Sequence, residues 1–213
     1  MSTHRARAVV FVDGNNFYHG CVALGLRQLG RLNFARVSEK LATSSRWVGT
    51  RYYVGRVPET GDLNLARSQG QFRSALQRQD ARISVHLGRL ERRTVRSAAA
   101  IASRRYLGSM TVRIDPEVFR DLVKLTERHE VASLMVEKAV DVQVSVDMVV
   151  MAERDEFEVA YLLSADGDLT PAVEAVRARG KKVFVASPLS GAQLAAAANA
   201  YIRLTRRWFD GIA

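Results

Sequence analysis

The apolar residues of this chain fall into short runs that alternate with amphipathic stretches, and most runs stop at a charged or turn-forming residue. Ala8 to Val12 is continuously apolar, as expected of a strand buried on both faces. It ends abruptly in Asp13-Gly14-Asn15-Asn16. A helix is predicted from Gly14 to about Gln28, capped by Asn15 or Asn16, burying Phe17, Val22, Leu24 and Leu26 and closed by Gly30. Val37 to Leu41 reads as a short helix. Trp47, Val48, Tyr52, Tyr53 and Val54 predict a second strand around Thr50 to Val54, broken by Pro58 to Gly61. Leu63 to Gln79 places Leu65, Phe72, Ala75 and Leu76 among charges, the pattern of an amphipathic helix. Ile83, Val85 and Leu87 alternate with Ser84 and His86, which predicts a third strand.

The second half repeats this logic. Leu134-Met135-Val136 is a short strand. The valine-rich stretch from Asp141 fits strand or buried helix by periodicity. Helix is chosen, because Asp141 suits an N-cap and strands are predicted on both sides. Val159 to Leu163 is a strand, and Pro171 to Arg179 is a helix capped by Thr170 and stopped by Gly180. Val183 to Ala186 is a strand, Gln193 to Ala200 a helix, and Tyr201 to Leu204 a final edge strand. Strands alternating with helices predict an α/β fold with a mainly parallel central sheet and helices on both faces. Ligands of such sheets sit beyond the carboxyl ends of the strands.

One stretch departs from the alternation. Between Gly88 and Ser133, Arg89, Arg92, Arg93, Arg96, Arg104 and Arg105 crowd around an alanine-rich centre. Val95 to Tyr106 is predicted as a helix or partly mobile arm with a basic face, ended by Gly108. A second helix starts at Asp115-Pro116, with Val118, Phe119, Leu122, Val123 and Leu125 as its apolar side. The reading is one domain over 1–213 with a basic helical insertion at 89–133.

Composition sharpens this picture at two points. The 213 residues are 47% hydrophobic, enough for one substantial core. Lys plus Arg is 32 against 22 for Asp plus Glu, a net charge of +10. Arginine dominates that excess and suits phosphate through its planar fork, so the charge points to nucleic acid as partner, with a solubility surface that has no partner as the plain alternative. Charge reads phosphate and not sugar, which keeps DNA open beside RNA. No run is long enough to cross a bilayer, and the basic N-terminus is followed by too few apolar residues for a signal peptide, so a cytoplasmic location is expected. The single cysteine, Cys21, excludes a disulfide framework and a cysteine-rich zinc site; it is read as a packing residue.

The chemistry lies in the acids. Asp13, Asp141 and the Asp166/Asp168 pair all fall at element ends that can share one sheet edge. Clustered carboxylates repel one another, and a divalent cation relieves that repulsion. Oxygen-only ligands favour Mg²⁺ or Mn²⁺ over zinc. Each acid also has a plain structural role open to it: Asp13 a turn, Asp141 a helix cap, Asp166-Gly167-Asp168 an Asx turn. Asp147, inside the predicted helix, points into the pocket or forms an ion pair at the core edge.

Val12-Asp13-Gly14-Asn15-Asn16-Phe17-Tyr18, Glu137-Lys138-Ala139-Val140-Asp141-Val142 and Leu163-Ser164-Ala165-Asp166-Gly167-Asp168-Leu169-Thr170-Pro171 together resemble the NYN domain. More narrowly they resemble its bacterial LabA-like (DUF88) branch, within the PIN-like nuclease superfamily. The resemblance spans roughly Ala8 to Leu204. It implies a three-layer α/β/α PIN-like (Rossmann-like) sandwich with a metal-dependent ribonuclease site. By motif, Asp13 and Asn16 match the family's first acid and amide. Asp141 matches the next acid, Asp166 and Asp168 the terminal pair, Ser164 the serine before them, and Asp147 a further acid of the central helix. The chain departs from the pattern at Ala139, where the family has glycine, and at Leu169, where it has phenylalanine. The arginine-rich stretch lies outside the motifs.

The first reading is therefore a Mg²⁺- or Mn²⁺-dependent endoribonuclease. Asp13, Asp141 and Asp166 hold metal, Asp168 is a ligand or water-orienting base, and Asn16 positions a ligand or phosphate. The six arginines grip the RNA backbone. The alternative is a non-catalytic RNA-binding regulatory adaptor with the same fold. A haloacid-dehalogenase-type phosphatase is disfavoured, because no second aspartate follows Asp13 by two residues. A Walker loop and a G-x-G-x-x-G fingerprint are absent. A homodimer is compatible with the sequence and not specified by it.

Overall fold

The computed structural model describes residues 5–26, 32–56, 63–96, 98–109 and 115–212. The chain divides into two compact units, Met1–Arg89 with Lys138–Ala213, and Leu90–Glu137.

In the first unit the central strand is β1 (Arg7–Asp13), flanked by β2 (Arg46–Gly55) on one side and β5 (Val159–Leu163) on the other. Beyond β2 lies β3 (Ile83–Arg96), which begins in this unit. Beyond β5 lie β6 (Lys182–Ser187) and β7 (Ala200–Arg203). The pairs β1–β2, β1–β5, β2–β3, β5–β6 and β6–β7 are all parallel. Parallel strands need crossovers, and the helices supply them on both faces. Helices α1 (Gly14–Ala23), α2 (Phe34–Leu41) and α3 (Leu63–Gln79) cover one face, and α6 (Val140–Glu153), α7 (Thr170–Ala178) and α8 (Ala192–Ala197) cover the other. The result is the three-layer α/β/α sandwich of the PIN-like type.

The alternation along β1 shows how the two cores arise. Ala8, Val10 and Val12 enter the core under α1 and α2, and Val9 and Phe11 enter the core under α6 and α7. Both faces are covered, so the strand reads as a continuous apolar run. Burying a Phe or Val side chain contributes roughly 1.5–3 kcal/mol relative to leaving it exposed, so β1 and β5 anchor the sheet. Burial also pushes the Cys21 thiol up to about 12, which leaves it an inert packing residue.

The second unit holds the rest of β3, the strand β4 (Val131–Lys138) hydrogen-bonded beside it, and helices α4 (Ala98–Gly108) and α5 (Pro116–Glu130), which pack on each other. Asp115 caps α5 by accepting from the backbone of Glu117 at 2.9 Å, with Pro116 in the first turn. Its apolar side is only partly covered: Val118 and Leu125 are half exposed.

Several boundaries differ from the sequence reading. Helix α1 stops at Ala23, Val22 within it is exposed and not buried, and Gly25 takes up a left-handed turn at φ 79. The predicted Gly30 stop and the Pro58 to Gly61 break lie outside the described residues. Strand β3 does not stop at Leu87 but runs through Gly88 to Arg96, because one glycine weakens a strand without ending it. The helix predicted from Val95 begins at Ala98. Thr170 is not a cap; it is the first residue of α7, and its buried hydroxyl finds no hydrogen-bond partner among the described residues. The C-terminal stop at Gly180 is as expected, at φ 76. Among the described residues no helix is long and apolar enough to cross a membrane.

The start of α6 is the most informative correction. Its N-cap is Ala139 and not Asp141, and Ala139 sits in the left-handed region at φ 71, ψ −3. This is the position where the family pattern has glycine. A residue with a Cβ costs about 1–2 kcal/mol there, and glycine returns part of that as unfolded-state entropy. Ala139→Gly is therefore expected to stabilise the chain by about 0.5–1 kcal/mol, raising Tm by about 2 °C. A thermal melt checks it, and a lowered Tm contradicts it.

Candidate metal centre at the carboxyl edge of the sheet

The strand order reverses at β1 and β5, because the chain builds β2 and β3 on one side of β1 before crossing to β5 and β6. Adjacent crossovers leave in opposite directions there, opening a crevice beyond the strand ends. Asp13 is the last residue of β1, and Ser164, Ala165 and Asp166 follow the last residue of β5. The sheet thus delivers two of the three acid motifs to its switch point by register alone.

Asp13 is 3% exposed and is the N-cap of α1. Its Oδ1 accepts from the Asn16 backbone N–H at 3.1 Å, and its Oδ2 accepts from the Ser164 hydroxyl at 2.9 Å. Ser164 is fully buried and in turn accepts from the Asp166 N–H at 3.1 Å. The Asn16 side chain accepts from the Ala165 N–H at 2.9 Å, pinning α1 to the β5 loop. Asp166 caps the 3-10 turn Gly167–Leu169 by accepting from Asp168 N–H at 3.0 Å. The Asx turn expected at Asp166 is thus realised, and Asp13 caps a helix where a simple turn is the plain expectation. These roles do not exclude a site. Each carboxylate oxygen has two lone pairs, and each of these bonds uses one.

Asp141 enters from the opposite layer, in the first turn of α6. Carboxylate oxygens of Asp13, Asp141 and Asp166 come within 4.8 Å of one another, a set that three separate segments of sequence contribute. Oxygens around one octahedral Mg²⁺ stand roughly 3 Å apart when adjacent and roughly 4.2 Å apart when opposite, so the three side chains are near enough to share one cation. Oxygen donors without nitrogen or sulfur suit a hard cation. The electrostatics agree. Burial holds the Asp13 carboxyl above the usual range, against the lowering by its Asn16 and Ser164 hydrogen bonds, and Asp166 adds repulsion. The Asp141 carboxyl is also raised, first by desolvation and then by the charges of Asp13, Asp166 and Asp168. A divalent cation removes the repulsive part of both shifts.

Asp168 is exposed and stands outside this set, though close enough for its charge to act on Asp141. Asp147 takes the ion-pair alternative. Six residues along α6 set it about 120° around the helix from Asp141. Its carboxylate accepts from the Tyr53 hydroxyl at 2.8 Å and lies 3.5 Å from Arg51 Nε. Arg104 and Arg105 are exposed on α4, with Arg104 at 4.0 Å from Glu127. Arg89, Arg92, Arg93 and Arg96 fall on β3, and their side chains lie outside the described residues.

Two features near the acids were not visible in the sequence. One is Gly14. A Cβ at this position would stand 2.6 Å from both the Tyr53 carbonyl oxygen and a Tyr52 ring carbon. The glycine lets α1 start hard against β2 and so fixes the cap at Asp13. The other is a ring pair. Tyr53 stacks on His86 with centroids 4.9 Å apart at 24°. The register places Asp13 beside Tyr53, and Tyr53 beside His86. Only the strand pairing reveals that alignment.

The sequence model of the NYN domain matches residues 7–205. Among the curated proteins compared, none matches the chain. Among solved structures, a protein of unknown function from Vibrio parahaemolyticus RIMD 2210633 is similar in fold. It shares 17% sequence identity at a TM-score of 0.53, covering 97% of each chain.

Proposed function

The chain belongs to the NYN domain family, a branch of the PIN-like nuclease superfamily, and from that membership we propose that it is a Mg²⁺- or Mn²⁺-dependent endoribonuclease. The observation that carries the reading is the convergence of Asp13, Asp141 and Asp166 at the switch point of a chain with a net charge of +10. A repulsive acid cluster serves no purpose in a protein that only grips a polyanion. The order of the motifs also supports the LabA-like branch.

Asp13, Asp141 and Asp166 would hold the cation. When bound, it neutralises charge on the phosphodiester and lowers the pKa of water. The protein's own groups do the rest. Asn16 N–H and Ser164 hold the Asp13 carboxylate in one orientation, as preorganised partners do around metal ligands. Asn16 also ties the β5 loop in place. Asp168, exposed at the rim, would orient a water and accept its proton as that water attacks phosphorus and the bond to the leaving ribose oxygen breaks. Arg89, Arg92, Arg93, Arg96, Arg104 and Arg105 would grip the RNA backbone.

The test is incubation of the pure chain with end-labelled single-stranded RNA, and in parallel with DNA of the same sequence. Shortening of the RNA with Mn²⁺ or Mg²⁺, abolished by EDTA, is expected. Binding without cleavage under both metals contradicts the reading and favours an adaptor. Arg92→Ala/Arg93→Ala is expected to weaken RNA binding and flatten the slope of log K against log salt by about 1.4, at about 0.7 for each phosphate no longer neutralised. An unchanged slope shows that this segment does not touch the backbone.

A further inference from the structure

The loop that carries Asp166 and Asp168 is packed on one side by α8. A Cβ at Gly191, the residue just before α8, would stand 3.0 Å from the Ala165 carbonyl oxygen and 3.1 Å from the Ala165 Cα. Helix α8 therefore starts directly against the segment between Ser164 and Asp166. Two residues on, Gln193 lies along Gly167, the residue between the two acids. A Cβ at Gly167 would run into Gln193 Oε1 and stand 3.2 Å from Gln193 Cδ, and the three atoms nearest to it all belong to Gln193. No backbone angle asks for glycine here: among the described glycines, positive φ falls at Gly25, Gly180 and Gly211. The missing side chain of Gly167 is a notch for the Gln193 amide. Yet Gln193 is exposed, and its carboxamide has no hydrogen-bond partner among the described residues.

The acid centre is short of what this amide supplies. Asp13, Asp141 and Asp166 offer only acceptor oxygens once ionised. The backbone N–H groups of Ala165, Asp166 and Asp168 are turned inward, to Asn16, Ser164 and Asp166. A cation held by the acids takes one oxygen of an incoming phosphate, and the other oxygens need hydrogen-bond donors. The Gln193 amide carries two N–H groups. With Oε1 lying on Gly167, Nε2 is the end turned away from the loop backbone. The amide is also uncharged, so it donates to phosphate without drawing a carboxylate away from the metal, as a lysine or arginine at that position would.

We propose that Gln193 is a substrate-contacting residue whose amide donates a hydrogen bond to a non-bridging oxygen of the phosphate held at the acid centre, and that Gly167 is kept without a side chain so that the amide can lie there. This rests on the nuclease reading for the cation and the phosphate. Gln193 stands outside the three acid motifs and reaches them only because the β6-to-α8 connection folds back onto Ala165. A purely structural role for the contact gives a different expectation. An exposed side chain with a free end swings aside at little cost, so a methyl group at position 167 would then change neither stability nor phosphate binding.

The test titrates the full chain with Mn²⁺ alone and then, at saturating Mn²⁺, with uridine 5′-monophosphate, a phosphate monoester that has no internucleotide bond to cut. Gln193→Met keeps the length of the side chain and removes both donors. It should weaken binding of the monophosphate by about tenfold, as loss of a hydrogen bond to a charged oxygen does, with Mn²⁺ affinity unchanged and Tm within about 2 °C of the parent. Gly167→Ala displaces the amide without altering it and should give the same loss, again with Mn²⁺ affinity unchanged. The double variant should lose no more than either single one. Unchanged monophosphate affinity in Gln193→Met overturns the proposal, as does a fall in Mn²⁺ affinity that accounts for the whole loss, or losses that add in the double variant. A parent that takes up no monophosphate overturns it as well. The two readings fail separately. RNA cleavage by the parent, together with unchanged monophosphate affinity in Gln193→Met, removes the contact and leaves the nuclease. The loss in Gln193→Met without cleavage by the parent under either metal leaves a phosphate-binding centre and removes the nuclease.

Discussion

Asp13→Asn is expected to lower metal-dependent RNA cleavage by more than about a hundredfold while the chain stays folded. Loss of a group that merely supports a metal ligand typically costs 10- to 100-fold, and Asp13 is expected to be a ligand itself. The fold survives because asparagine caps helices as well as aspartate does. An amide oxygen at position 13 still accepts from the Asn16 N–H, and the Ser164 hydroxyl, which already accepts from the Asp166 N–H, has one lone pair left for the amide donor. The variant thus separates chemistry from folding.

The same variant has a pH signature. The folded Asp13 and Asp141 carboxyls are raised, so the folded chain holds their protons more tightly than the unfolded chain does. Their stabilising contribution is fully present below the ordinary carboxylate value of about 3.9, and it is lost as pH rises through their higher folded values. Asp80 works the other way: Arg82 holds it down to about 2, so its contribution is present above the ordinary value and lost on acidification. The difference in Tm between Asp13→Asn and the parent isolates the first effect. Without metal it should move in favour of the variant as pH rises from about 4 towards neutrality. With saturating Mn²⁺ the order should reverse, since only the parent gains binding energy: about 2.7 kcal/mol at a hundred times Kd. A difference that is flat in pH and blind to metal contradicts the burial and the metal site together.

Gly14→Ala is expected to have the largest effect on stability, about 3 kcal/mol, or a fall in Tm of about 10 °C. The added Cβ would meet the Tyr53 carbonyl oxygen at 2.6 Å, and a carbonyl within a sheet cannot swing aside as a long side chain can. Relief requires α1 to move off β2, which displaces the cap at Asp13. Cleavage should therefore fall along with Tm. A melt within about 2 °C of the parent would mean that the start of α1 is not wedged as described.

The sequence carries the parts of this molecule whose cause is local. β5 and α3 start and stop where the apolar pattern does, because Val159–Leu163 is buried throughout and Leu63–Gln79 follows the breakers Pro58 and Gly61. The sandwich follows from the alternation of such elements. Two of the three acid motifs were legible for the same reason: Asp13 and Asp166 stand at or just after the ends of apolar strands, and parallel topology carries such ends to one edge, whereas Asp141 comes from the first turn of α6.

What was not legible depends on pairing or on single dihedral angles. Asp141 has a good cap side chain, yet α6 starts two residues earlier because Ala139 turns left-handed, which no propensity for alanine predicts. Thr170 loses its cap role to the preceding 3-10 turn, which already curls the chain. Asp147 follows the acid pattern in sequence but faces Arg51 and Tyr53 because of helical phase. The alignment of Asp13, Tyr53 and His86 needs the register of three strands drawn from separate parts of the chain.

The central claim is that the three converging carboxylates make a metal centre that cuts RNA. Its most direct test is a Mn²⁺ titration of the intact chain in which metal binding and cleavage of one labelled single-stranded RNA are followed on the same samples, beside Asp13→Asn. Occupancy and cleavage are predicted to rise together in the parent, and both are predicted to be lost in the variant. Cleavage that persists in Asp13→Asn, or metal binding that saturates without any cleavage, contradicts the claim.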